Sequence, residues 1–384
     1  MYKIQLLSVI TTISLSVVGG ANAAIAYTFT RLIESNDTFT GFGAPAINNQ
    51  GTVVFQTGLS AGGAAIFASQ NNNLTPLADT KGTFSDLYVG DLDLNDRGTV
   101  AFRAQLKTGG GGIFTSNGGT VVPVAASSNL FNVGGSPAIN SQGAVAYTQG
   151  ASLSSEQVLV NNRGVTTVIP NSGRSLLSGP DINNRGTVVF AGSLDGTGTN
   201  FGLFRFQNGQ TTQVTQTGQG FSGGIGAPRI NGNGTIVFNA GAVNGGYGIY
   251  RVQDGRVEKV VATTDGLFNY VTQADLNDRG KIAFLGATPL RGFGIYTGTD
   301  PLSDKVIAPG DILNGQRVTS VSFSGRGLND AGQIAFAAEL SDGTRAVFLA
   351  DPEAIPEPSA MPGTVLAIAG LGWLGMRKAR AIRR

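Results

Sequence analysis

Residues 182–190 read INNRGTVVF, and the chain repeats that phrase seven times. The other copies are INNQGTVVF from Ile47, LNDRGTVAF from Leu94, INSQGAVAY from Ile139, INGNGTIVF from Ile230, LNDRGKIAF from Leu276 and LNDAGQIAF from Leu328. Their asparagines are Asn48, Asn95, Asn140, Asn183, Asn231, Asn277 and Asn329, spaced by 47, 45, 43, 48, 46 and 52 residues. Three residues after each stands a glycine: Gly51, Gly98, Gly143, Gly186, Gly234, Gly280 and Gly332. Seven residues after each stands an aromatic: Phe55, Phe102, Tyr147, Phe190, Phe238, Phe284 and Phe336. A period of this length marks a repeat architecture, in which one unit cannot bury its apolar face alone.

The local chemistry is that of strands and tight turns. Thr-Val-Val-Phe is β-branched and aromatic, suited to a pleated surface. Asn-x-x-Gly between apolar runs is a turn, because the Asn side chain bonds the backbone two residues on and Gly accepts a positive φ. A second apolar landmark, such as Ile66-Phe67, Leu203-Phe204 or Val347-Phe348, begins 18 residues after the Asn in six copies and 20 in one. Another turn and another apolar run follow. In the first unit the reading gives four strands, about 44–47, 52–57, 65–69 and 74–78, with no helical period between them. Four antiparallel strands per unit, seven times over, predict an all-β fold, a seven-bladed β-propeller.

The ends of the repeat array test for ring closure. The seventh copy stops after Ala346–Ala350 and lacks a fourth strand, while FTRLIESNDTF from Phe29 aligns without a gap on LTPLADTKGTF from Leu74. Residues Tyr27–Ile33 are therefore expected to complete the last blade, removing the exposed edges that invite aggregation. The repeat resembles the bacterial tandem repeat written NxxGxxAF, over most of residues 40–350, and that resemblance implies no activity. Familiar propeller signatures such as Trp-Asp pairs are missing, and the single Trp373 lies in the tail.

Both termini read as addresses. Lys3, the apolar run Ile4–Val18 and Ala21-Asn22-Ala23 have the form of a signal peptide cut after Ala23. At the other end Pro356-Glu357-Pro358 precedes a short apolar segment, Met361–Met376, and a basic cluster containing Arg377, Lys378 and Arg380. A stop-transfer helix with cytoplasmic positive charge is the plain reading. The order of the three parts also resembles the PEP-CTERM sorting signal. That resemblance covers about the last 30 residues and implies an exosortase-type processing enzyme as a partner, in a Gram-negative bacterium that makes an extracellular polysaccharide matrix. The domain reading is 1–23 signal peptide, 24–350 propeller, 351–360 Pro-rich linker with the PEP motif, and 361–384 transmembrane helix with basic tail.

Composition narrows the chemistry. Among 384 residues there is no Cys and no His, which removes disulfides, thiol nucleophiles, Ser-His-Asp triads and nearly all zinc enzymes. The formal charge is +2, but without Lys3 and the segment after Pro356 there remain 20 basic and 23 acidic residues, net −3. The positive charge thus belongs to the tail, and nucleic-acid binding loses its support. The run Asp91 to Asp96 imitates a calcium loop, but its sixth position is Asp96 and the glycine, Gly98, comes eighth. Asp91, Asp93, Asp181 and Asp275 fall on inner strands and are candidates to converge at the channel mouth as a glycosidase pair, or to line a wet channel. The seven Asn and seven Gly read as turn geometry rather than a binding code. Arg97, Arg185 and Arg279 share one turn position on one rim.

Together these readings predict an exported surface or matrix protein, released or anchored transiently in the inner membrane by its tail. It is expected to act as a non-enzymatic scaffold or binding module for polysaccharide or surface proteins, with no cofactor, no metal and no nucleic acid. A glycan hydrolase using channel-mouth carboxylates is the alternative.

Overall fold

A computed structural model describes residues 26–353 apart from 128–132, 151–155, 171–177 and 197–198. The signal peptide with Ala23, the PEP motif Pro356-Glu357-Pro358 and the tail residues Arg377, Lys378 and Arg380 lie outside the described residues. Among the described residues no helix is long and apolar enough to cross a membrane.

Seven antiparallel sheets follow one another along the chain and form the seven blades of a β-propeller. In the first blade the strands are Phe39–Phe42 with Ala46–Ile47, then Val53–Leu59, Ala64–Gln70 and Asn73–Asp79. The sequence places the inner strand at 44–47 as one piece. It is instead split: Gly43 N–H still donates to the carbonyl of Gln56, and residues 44–45 then leave the ladder before the pair Ala46↔Val54. The same interruption appears in blade 2 as a register shift between Leu87 and Leu92, and in blade 5 between Gly226 and Arg229. Blades 3 and 6 show it as well, between Gly134 and Ala138 and between Thr272 and Asp275.

The core is not one mass but a set of seams. Each cluster of buried apolar side chains draws on two successive blades. Val54 and Ile66 of blade 1 pack with Leu87, Phe102 and Phe114 of blade 2, and Val189 and Leu203 of blade 4 pack with Phe221 and Phe238 of blade 5. The aromatic seven residues after each Asn is buried at 0–1% exposure. In six blades it faces a second aromatic across the sheet, as Phe55 faces Phe67 and Phe190 faces Phe204 at 5.3 Å between centroids. Repeating one aromatic position therefore repeats one cross-strand ring pair within the blade, each pair adding about 0.5–1.5 kcal/mol beyond its buried area.

The ring closes with its first strand. Tyr27–Glu34 pairs antiparallel with Arg345–Pro352, next to Ile334–Leu340 and Gln316–Ser322. The pair Phe29↔Ala350 holds the same register as Leu74↔Ser69 in blade 1, and the bulge that skips Leu77 recurs as one that skips Leu32. Tyr27 is also held from blade 6, where Lys281 Nζ donates to its hydroxyl at 2.8 Å.

A chain lacking residues 27–34 leaves Arg345–Pro352 as an unpaired edge. Loss of the monomer peak in size-exclusion chromatography and a lower melting temperature are expected, while a chain begun at Ala26 behaves as the parent. A truncated protein that stays monomeric and melts as before would contradict closure by this strand.

A polar lock at the centre of the ring

The end of the propeller that carries the Asn-x-x-Gly turns is built from buried polar side chains. All seven asparagines are 3–5% exposed. Within its own turn each Oδ1 accepts the N–H four residues on, at 2.8–3.0 Å, and in six blades also the N–H two residues on. The glycine that ends the turn has φ between 73° and 89° in all seven, a region open to Gly without a Cβ clash.

The other half of each amide leaves the blade. Nδ2 of Asn48 donates to the carbonyl of Asn95, Asn95 to Asn140, Asn140 to Asn183, Asn183 to Asn231, Asn231 to Asn277, Asn277 to Asn329, and Asn329 back to Asn48. The seven distances run from 2.9 to 3.2 Å. A closed circle of side-chain amides thus joins every blade to the next. Serine or aspartate supports the same turn, but neither offers an amide donor to the neighbouring carbonyl. Sequence reasoning identifies the turn bond and misses this one. The signal was the invariance of Asn among seven positions where a turn alone accepts several residues.

A second layer sits one step inward. An inner strand has no ladder partner on its axial side, so its inward N–H groups need acceptors. Asp93, Asp181 and Asp275, each two residues before the Asn of its blade, supply them. Their Oδ2 atoms accept N–H of the following blade from Ile139, Ile230 and Leu328, all at 2.8 Å. The Oδ1 atoms of Asp93 and Asp275 accept the N–H of Leu94 and Leu276. Where blade 7 meets blade 1 no acid is present, and Ile47 N–H donates to the carbonyl of Arg326 instead.

Two arginines that the sequence reading did not single out complete the layer. Arg326 reaches Asp93 at 2.5 Å and Asp181 at 3.4 Å with the same nitrogen, linking blade 7 to blades 2 and 4. Arg229 stands in blade 5 where other blades have Asp, Ala or Gly, and its Nε donates to the carbonyl of Gly325 at 2.7 Å. Around them lies a cavity of about 170 Å³, bordered by the asparagine turns. Burial pushes Asp275 up to about 7, against two backbone N–H donors and Arg229. Burial also raises Asp93, in opposition to Arg326. Arg229 is lowered by burial and by the charge of Arg326. For Arg326 burial lowers the pKa, but the carboxylates of Asp93 and Asp181 outweigh it, so the guanidinium is held above its ordinary range.

Three of the four acids on inner strands therefore meet. The side chain of Asp91 is not among those described. Arg97, Arg185 and Arg279 stand exposed at the turn tips, where their backbone N–H groups serve the asparagines. Among the described residues no three His, Cys, Asp or Glu side chains are grouped to hold a metal ion. Chemically the cluster is a lock: both oxygens of each acid already take hydrogen bonds or an ion pair from the residues they hold together.

Residues 15–315 and 264–362 match the family of unknown function DUF7453. The chain belongs to this family. No curated protein matches the DUF7453 chain significantly. Among solved structures the fold is similar to the oligogalacturonate lyase of Vibrio parahaemolyticus, at a TM-score of 0.56 and 14% identity, covering 90% of this chain and 97% of that one. An oligogalacturonate lyase in complex with manganese gives 0.57 and 14%, covering 91% and 97%. Prolyl oligopeptidase B from Galerina marginata gives 0.53 and 10%, covering 79% of this chain and 47% of that one. At such identities these likenesses concern the propeller alone.

Two measurements probe the lock. Asn183→Ala removes three hydrogen bonds and is expected to cost about 2–3 kcal/mol in denaturant unfolding, whereas Arg185→Ala, which trims an exposed side chain and keeps the backbone N–H that serves Asn183, changes little; equal effects would refute the amide circle. Asp275, with a folded pKa above its ordinary 3.8, favours the fold most in its protonated form. Its contribution is complete below about pH 4 and is lost as pH rises through about 7, a fall of the order of 4 kcal/mol. The difference in unfolding free energy between the parent and Asp275→Ala should shrink over that interval, and a difference that grows with pH would overturn the assignment.

Proposed function

We propose that this DUF7453 protein is an exported, non-enzymatic binding or scaffold module, handed to the cell surface or matrix through its C-terminal sorting signal. The observation that carries the non-enzymatic part is the use of the central acids. A glycosidase needs one carboxyl free to protonate a leaving group and a second free to attack or to activate water. Asp93, Asp181 and Asp275 instead hold successive blades by their backbone N–H groups. The ring is rigid as a result, and its other end is free to vary. There Tyr270 and Phe293 stand exposed, with Tyr270 stacked on Tyr247 at 5.9 Å. Rigid rings with exposed aromatic and polar loops suit recognition of polysaccharide or of other exported proteins. The export part rests on Ala21-Asn22-Ala23 and on Pro356-Glu357-Pro358 with the basic residues that follow.

One observation favours a second reading, a glycan-active enzyme. Asp275 is a buried acid brought near neutrality, the property of a general acid, and the oligogalacturonate lyases share the propeller.

Intact-mass measurement of the protein from its native host, in envelope and medium fractions, tests the export reading. The released form is expected to begin near Ala24 and to end near Pro356-Glu357-Pro358. Persistence of residues through Arg384 in every fraction would overturn the sorting signal and leave only an anchor. Release of shorter glycans from host matrix, lost in Asp275→Asn, would select the enzymatic reading.

A further inference from the structure

The end of the ring opposite the asparagine turns carries an open groove. Its larger part, about 510 Å³, lies between the inner strands of blades 1 and 2. A smaller part, about 210 Å³, crosses to blade 7. Gly41, Phe42 and Arg345 border both parts, so the groove runs across the seam where the ring closes. The larger part alone has the size of a small-molecule site.

Beneath its lining lies an unmet acceptor. Gln56 is 5% exposed, and its Nε2 donates to the carbonyl of Leu87 at 2.7 Å. That bond fixes the amide, while Oε1 has no hydrogen-bond partner. A buried carbonyl oxygen without a donor costs free energy that an incoming O–H or N–H recovers. The six other blades place Arg103, Thr148, Ala191, Asn239, Leu285 and Ala337 at this register, so the repeat does not impose Gln here.

The surrounding chemistry describes what that donor belongs to. Charge is nearly balanced, because Arg345 lies 3.6 Å from Glu339 and the one further ionisable neighbour is Asp86. A strongly charged ligand gains little from such a lining. Gly41 faces Arg345 across the groove: a Cβ there would lie 3.4 Å from the guanidinium, so a larger side chain at this position enters the space between them. Phe42, half-buried and edge-on to Phe55 at 5.6 Å, offers the lining an aromatic surface. Hydroxyl, amide and glycine backbone beside one aromatic ring complement a ligand with many O–H groups and apolar C–H faces.

We propose that this groove binds a neutral oligosaccharide, with Phe42 underlying a ring and a sugar hydroxyl donating to Gln56 Oε1 once the atoms that cover that oxygen in the free protein move aside. The proposal rests on the binding-module reading above and gives it a site and a ligand class. It is tested by titration calorimetry on the full chain purified from its host, with maltotriose, mannotriose, galactotriose and trigalacturonate as probes. Binding of a neutral trisaccharide is expected, weakened about tenfold or more by Gly41→Phe, which plugs the groove, and measurably by Arg345→Ala, which removes one wall. Melting temperatures of both variants should stay near the parent's, which separates a lost site from a lost fold. Three results overturn the proposal: no heat with any neutral probe, tighter binding of trigalacturonate than of the neutral probes, or equal affinity in parent and Gly41→Phe. If the full chain still sediments with host matrix polysaccharide in the first or third case, the binding-module reading stands and only the groove assignment falls.

Discussion

Every blade is tied to the next by an asparagine amide whose two ends do different work. Its oxygen shapes the turn of its own repeat, and its nitrogen bonds the carbonyl of the next repeat's asparagine. The first interaction is local and makes a hairpin. The second is circumferential and makes a ring. Because one asparagine serves both, forming the turn also aims the donor that links the blades. The apolar seams then add the bulk of the stabilisation, and the polar centre fixes which blades meet and at what angle.

Much of this architecture is legible in the sequence because the repeat is short, regular and locally explicit. INNRGTVVF contains a turn and a strand, and the ungapped likeness of residues 29–39 to 74–84 yields the closing strand with its register. What is not legible lies across the axis. Sequence spacing says which residues occupy equivalent positions, but it does not say which side chains face one another over a central channel. Arg229 holds the repeat position of Asp93 and Asp181, and Arg326 stands one residue earlier in its own repeat, yet equivalence of position does not say that these side chains meet at the axis. The broken inner strand at 44–45 is hidden for a related reason: strand propensity is a local quantity, whereas the register of an inner strand against its neighbour is set by the whole blade.

The acids show how one residue type serves opposite arguments. Carboxylates on inner strands are what a glycan-cleaving propeller requires, and three of them do meet. Their neighbours decide the outcome. A carboxylate that accepts two backbone N–H groups has its lone pairs engaged in folding, and the arginines that balance it are themselves buried spokes. The opposite end has the reverse character. Its exposed aromatics and open groove take no part in the circle of amides, which leaves them free to differ from blade to blade.

The closing strand also sets an order of events. Thr28 meets Asp351 across a separation of 323 residues, so the first strand to be synthesised is the last to find its partner. Contacts this distant in sequence are slow to form. Until then Tyr27–Glu34 is an unsatisfied edge waiting at the front of the chain, and six finished blades remain an open arc. Assembly of the ring is therefore all-or-none at its final step, and a chain interrupted anywhere before residue 345 has no closed state to reach.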